Sequence, residues 1–208
     1  MIKFKLNMKL GDVLMKKVYI VLTYSGTTLS KIIKRWTKDE FSHVSIALDE
    51  DLQEMYSFGR LHPYNPFWGG LVHEKINEGT YKRFFRTKAC IYSIEIEDYQ
   101  FVDIRNTIYA MWENRKKYKF NIIGLLAIGL KKEVKIHNYF YCAEFVKYLF
   151  EKANVNINLP KKMIRPENFK DIVNKELVYK GLLNRYKKKS LLKKYFEVIG
   201  YKTANQNK

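Results

Sequence analysis

Cys142 opens a segment in which Phe145, Val146 and Leu149 follow at three, four and seven positions. That spacing is one face of a helix. The cysteine therefore falls on the first turn, on the side that turns toward the core. A helix N-terminus favours a thiolate through its unpaired N–H groups, and a neighbouring imidazole does so by forming an ion pair. The chemistry on offer is attack by sulfur on a carbonyl carbon. The imidazole must come from elsewhere in the chain. His43 is the best placed of the four histidines, because it begins a strand expected inside the fold.

An imidazole that works with a nucleophile needs a third group to fix its tautomer and orientation. Phe41 to Leu48 and Leu52 to Phe58 read as two strands joined by the polar turn Asp49-Glu50-Asp51, a hairpin. A turn centred on residues 50 and 51 brings residues 54–58 back alongside His43. Glu54 is the carboxylate among them, with Tyr56 and Ser57 as the other polar choices. The backbone N–H of Cys142 is the expected oxyanion donor, with Tyr24 or Ser25 as the source of a second. Each of these residues also has a plainer reading. A cysteine among apolar helix positions is usually core, and so is Cys90 at the start of an apolar strand. His62 and His73 read as surface residues in or beside a loop. His137 is a rival base, but it lies five residues before Cys142 across an extended stretch.

The elements that must position these groups follow from periodicity and breakers. Val18 to Tyr24 is a buried strand. After the turn at Ser25-Gly26, Thr27 or Thr28 caps a helix with an apolar face at Leu29, Ile32, Ile33 and Trp36. The stretch 59–70, GRLHPYNPFWGG, reads as a long shaped loop. Tyr64, Phe67 and Trp68, stiffened by Pro63 and Pro66, would give one aromatic wall of a binding groove. Leu71 to Gly79 reads as a short edge strand and turn, and Cys90 to Ile96 as a further strand. Phe101, Ile104, Ile108 and Trp112 mark a helix. Phe120 to Leu130 is a buried helix or an apolar loop, and Pro166 opens a last turn of helix before a basic tail.

The chain has 208 residues, 47% of them hydrophobic and 15% aromatic, enough for one sizeable core. Its longest mostly apolar run has eleven residues, 120–130, and a membrane span needs roughly 20. Two cysteines make neither a disulfide framework nor a zinc site of the CxxC type. Together these favour a cytoplasmic protein without signal peptide, metal or organic cofactor. The net charge is +18, and residues 179–208 hold nine Lys/Arg against one acid. A basic balance favours anionic partners, although no nucleic-acid-binding motif is present. In the tail, Leu182, Leu183, Tyr186, Leu191, Leu192, Tyr195, Phe196 and Ile199 form an apolar stripe beside lysines. Such a helix either packs on its own domain or lies on an anionic membrane through residues 179–199. The expected organisation is an N-terminal extension, 1–17, with Met15 as an alternative start; a domain, 18–178; and a basic helical tail, 179–208.

Two stretches carry a resemblance. TLSKIIKRWTKDEFSHVSIALDEDLQEMYSF, from residue 28, resembles the first motif of the circularly permuted NlpC-type papain-like hydrolases, the group that includes YiiX-like proteins. NYFYCAEFVKYLFEKANV, from residue 138, resembles their second, and NLPKKMIRPENF resembles the segment after the nucleophile helix. The likeness spans roughly residues 18 to 175, with the histidine before the cysteine, the permuted order. It implies an α+β fold with a small, mostly antiparallel sheet packed on helices. It implies Cys142 as nucleophile, His43 as base and Glu54 as the acidic third member, with Glu144 in a structural role. The implied reaction is hydrolysis of an amide or ester in a peptide, a wall peptide or an acyl lipid, through a thioester. The alternative is a non-catalytic binding module of the same fold, recruited to an anionic membrane or polymer by its tail.

Overall fold

The computed structural model describes residues 14–62, 65–130 and 132–186. Strand β1 (Met15–Tyr24) is the apolar run expected from residue 18, begun three residues earlier. Its alternation feeds two layers: Val18, Ile20 and Leu22 face one core, Tyr19 and Val21 the other. Helix α1 (Thr28–Thr37) follows, with Thr27 as its cap, its side chain accepting from the Ser30 N–H. Then come β2 (His43–Ala47), β3 (Met55–His62), β4 (Asn65–Glu74), the short helix α2 (Gly79–Arg83) and β5 (Lys88–Glu97). Helix α3 (Asp98–Glu113), β6 (Lys119–Phe120), α4 (Ile122–Gly129), β7 (Tyr139–Phe140) and α5 (Cys142–Lys152) lead to a 3-10 turn at Pro166–Asp171 and the last described strand, β8 (Lys175–Leu182).

Among the described residues, six strands form one sheet in the order β4-β3-β2-β1-β5-β8, every neighbouring pair antiparallel. Helices α3 and α5 cover one face, where Ile104, Ile108, Phe145, Val146 and Leu149 are fully buried. Tyr81 of α2, Leu183 and Tyr186 close the other face over Val21, Met55 and Ile91. The chain is thus α+β, an antiparallel sheet packed against helices. Among the described residues no helix is long and apolar enough to cross a membrane.

Three expectations are corrected. The stretch 59–70 is not a shaped loop over its described part: β3 and β4 pair from Met55↔Glu74 to Arg60↔Gly69 and on to His62↔Asn65, with an irregularity between. The glycines serve close approach here, not a break. A Cβ on Gly69 would lie 2.8 Å from the Phe120 ring and 2.9 Å from the Gly59 carbonyl. Pro66 is tolerated because β4 is an edge strand. The boundary at 178 also moves. Residues 179–182 pair with β5 as the end of β8, and Leu183 and Tyr186 are core residues at 1% and 4% exposure. Residues 187–208 and the first thirteen lie outside the described residues, but Met15–Lys17 belong to β1 and not to an extension. Finally, the α1 face is inverted in part: Ile33 packs on the core while Ile32 and Trp36 are exposed.

The segment that delivers His43 is anchored by the one that follows the cysteine helix. The Arg165 guanidinium holds the buried Asp39 carboxylate at 2.8 and 3.1 Å. Glu167 accepts the backbone N–H groups of Glu40 and Phe41 at 3.1 and 3.2 Å. Phe41 is itself buried. The start of β2 is therefore fixed from both sides.

Candidate active site

Cys142 is the first residue of α5 and is 4% exposed. Tyr141 caps the helix, its hydroxyl donating to the Ile164 carbonyl at 2.9 Å. Glu144, one turn in, reaches back to accept the Tyr141 N–H at 3.2 Å, and Asn121 Nδ2 donates to the same oxygen at 3.5 Å. Burial pushes the Glu144 carboxyl up to about 7, against those two donors. The helix start that carries the sulfur is thus held by its own capping side chain.

His43 begins β2 and lines the same cavity as Cys142. Its Nε2 donates to Glu74 Oε1 at 3.0 Å. Burial disfavours charge on the ring, but the Glu74 carboxylate, and after it the charge and hydrogen bond of Cys142, outweigh that and push the imidazole up to about 10.

Glu74 is the acidic partner, and it lies at the end of β4. Its second oxygen accepts from Ser45 Oγ at 2.5 Å and from the Tyr81 hydroxyl at 3.2 Å. Thr23 Oγ1 lies 3.4 Å from that hydroxyl. Burial alone would raise the carboxyl, but the charge and hydrogen bond of His43, and then the hydrogen bond from Ser45, hold it below its usual range. Tyr81, buried beside the carboxylate, is pushed well above the ordinary phenol range and stays a donor.

The sequence reading assigned this role to Glu54, and the structure corrects it. Ile46 pairs with Tyr56 and Ala47 with Met55. Carried three residues on, that register puts Gly59, not residue 54, opposite His43. A Cβ on Gly59 would stand 3.6 Å from both His43 Cε1 and Glu74 Oε1. Glu54 sits at the far end of the hairpin, where Tyr109 donates to it at 2.9 Å. Tyr56 stacks on His73 instead, with ring centroids 4.8 Å apart. Ser57 is fully buried, and its hydroxyl finds no hydrogen-bond partner among the described residues. No spacing rule pointed to Glu74. Its signal was the carboxylate that ends the run LVHE, on the edge strand read from Leu71, whose earlier part from Asn65 the Gly/Pro-rich sequence hid.

A comparison with protein-family models and with curated proteins gives no match.

The cavity holding Cys142 and His43 has a volume of about 220 Å³. Ile33, Phe58, Phe120 and Leu125 supply apolar lining, while Thr23, Ser25, Thr27, Ser30 and Ser42 supply hydroxyls. Ser25 lines it; Tyr24 does not, and packs partly on the core with Lys34 Nζ 4.5 Å from its ring centroid. Arg60 also lines it and forms no ion pair among the described residues. Burial, then the nearby Arg83 charge, lowers its guanidinium from the usual value. The aromatic wall expected from Tyr64, Phe67 and Trp68 falls on side chains outside the described residues, although residues 67 and 68 belong to β4. Cys90 is a core thiol at 1% exposure, and His137 is exposed before β7. Among the described residues no group of three or more His, Cys, Asp or Glu side chains is arranged to hold a metal ion.

Proposed function

We propose that this chain is a cysteine hydrolase with a permuted papain-like, NlpC-type fold, acting on an amide or ester through a thioester at Cys142. The observation that carries the reading is the buried Glu74 carboxylate on His43 Nε2, which favours a charged ring next to a thiol at a helix start. In the reaction Cys142 gives its proton to His43. The sulfur attacks the substrate carbonyl, and the carbonyl electrons move to oxygen. The Cys142 N–H, in the first helical position and without an intrahelical acceptor, faces that developing charge. Collapse of the intermediate breaks the bond to the amine or alcohol, which leaves with the proton from His43. Neutral His43 then takes a proton from water as the water adds to the thioester. The second collapse releases the carboxylic acid and restores the ion pair. Glu74 does not gain the proton; it orients the ring and stabilises its charge. The apolar lining from Ile33, Phe58, Phe120 and Leu125 suits an acyl or apolar side-chain group.

Iodoacetamide labelling at pH 7, read peptide by peptide, tests the pair. Cys142 is expected to react at least about 10-fold faster than in His43→Ala, since the imidazole supplies the thiolate. The buried Cys90 is the internal control. Hydrolysis of a nitrophenyl ester should vanish in Cys142→Ser. Equal labelling of Cys142 with and without His43 would sink the proposal.

A further inference from the structure

Helices α1 and α4 pack on each other and carry a group of large apolar side chains that no described element covers. Ile32 and Trp36 on α1 are 38% and 51% exposed; Ile123, Leu126 and Leu130 at α4 are 58%, 37% and 73% exposed. The patch is continuous, because the Trp36 ring lies against Gly129, where a Cβ would come within 2.7 Å of it. Positions 123, 126 and 130 share one face of α4, and 32 and 36 share one face of α1. The surround is basic. Lys31, Lys34, Arg35 and Lys38 stand exposed along α1, and Lys132 just after α4. Grouped apolar surface ringed by one sign of charge marks a contact site. The adjoining side of α1, through Ile33, and the far side of α4, through Leu125, line the cavity of Cys142.

We infer that the α1–α4 face docks on an anionic lipid surface, with Trp36, Ile123, Leu126 and Leu130 entering the headgroup boundary and the lysines and arginine meeting lipid phosphates. Amphipathic helices bind such interfaces by apolar burial plus attraction to anionic headgroups. Charge decides for lipid over a second copy of this chain, since two copies joined here would oppose their own basic rims. This surface is built from residues other than those after 186. Docking would bring the cavity wall to the membrane, so that, on the hydrolase reading above, acyl lipids become the favoured substrates among the amides and esters considered.

Vesicle flotation of the full chain tests this, with phosphatidylcholine vesicles and with vesicles containing 30% phosphatidylglycerol in roughly 0.05 and 0.5 M salt. Binding is expected to be at least about 10-fold tighter to the anionic vesicles at low salt, and to fall with salt. Ile123→Glu/Leu130→Glu, whose side chains are the most exposed of the patch, should lose at least about 10-fold of it, with thermal unfolding checked in parallel. Lys31→Gln/Arg35→Gln should weaken it and flatten the salt dependence. Unchanged binding in the Glu double variant would overturn the inference, as would a wild-type chain that ignores vesicles but dimerises through these residues. Cys142→Ser should bind the same vesicles. Failed docking therefore leaves the chemistry standing, and failed chemistry leaves the docking standing.

Discussion

Glu74 makes three polar contacts that hold a negative charge in a buried place: His43, Ser45 and Tyr81. Removing that charge while keeping the shape tests what it contributes. In Glu74→Gln the imidazolium loses its main stabilising neighbour, and the amide cannot accept from all three donors. Esterase kcat/KM is expected to fall on the order of 10²-fold, a usual weight for a positioned acid–base system. Glu54→Gln, at the far end of the hairpin, should stay within about 2-fold, the effect of a surface change. If Glu54→Gln is the damaging variant, the assignment of the acid is wrong. The sequence was legible to this scale in part. His43 and Cys142 stand out because each sits at the start of a periodic segment. Glu74 does not, because its contact with His43 crosses from β2 to β4, and nothing local in the chain encodes a partner two strands away. Even the hairpin register, followed to its end, put a glycine opposite His43 and left the carboxylate to come from the next strand.

At the scale of the element, the cysteine helix begins with a carboxyl that titrates near neutrality. Glu144 accepts the Tyr141 N–H in a capping box, but burial pushes it up to about 7. A carboxyl whose folded pKa lies above its unfolded value binds its proton better in the fold. Its contribution is fully present below about 4.5 and is lost as pH rises through about 7. Glu144→Gln keeps an oxygen to accept the same N–H and removes the titration. Relative to the variant, the wild type should therefore lose on the order of 1–3 kcal/mol between pH 4.5 and 8. Urea midpoints at the two pH values measure it, and parallel shifts in the two proteins would refute the burial argument. Period served well for this helix and for α3, where Ile104 and Ile108 are fully buried. It served badly for α1. The stripe at 29, 32, 33 and 36 is apolar, yet only part of it packs inward, because a pattern reports that a face is apolar and not what covers it.

Over the whole molecule, the sheet is completed by a strand the sequence disguised. Residues 179–186 read as the opening of a basic helix, since Leu182, Leu183 and Tyr186 fit a helical stripe. Pairing along β5 prevailed over that local pattern as far as Leu182, as tertiary context does over propensity, and the chain turns helical only from Leu183 to Tyr186. Leu183 and Tyr186 then enter the second core, and the Tyr186 hydroxyl donates to the Glu50 carbonyl at 2.8 Å. Lys180 pairs with Glu40 at 3.2 Å, on the segment that leads to His43. Two truncations separate folding from recruitment. A chain ending after Val178 loses half of β8 and two buried side chains, and leaves part of the β5 edge unpaired. Its stability should fall by roughly 4–8 kcal/mol, the sum expected for a buried leucine and a buried aromatic, and the open edge favours association. A chain ending after Tyr186 keeps every described contact and should stay within about 1 kcal/mol of the full chain. Urea unfolding of the three chains gives the comparison. A loss after Tyr186 as large as that after Val178 would mean that residues beyond 186 carry the stability, and that β8 with its two core side chains does not close the fold.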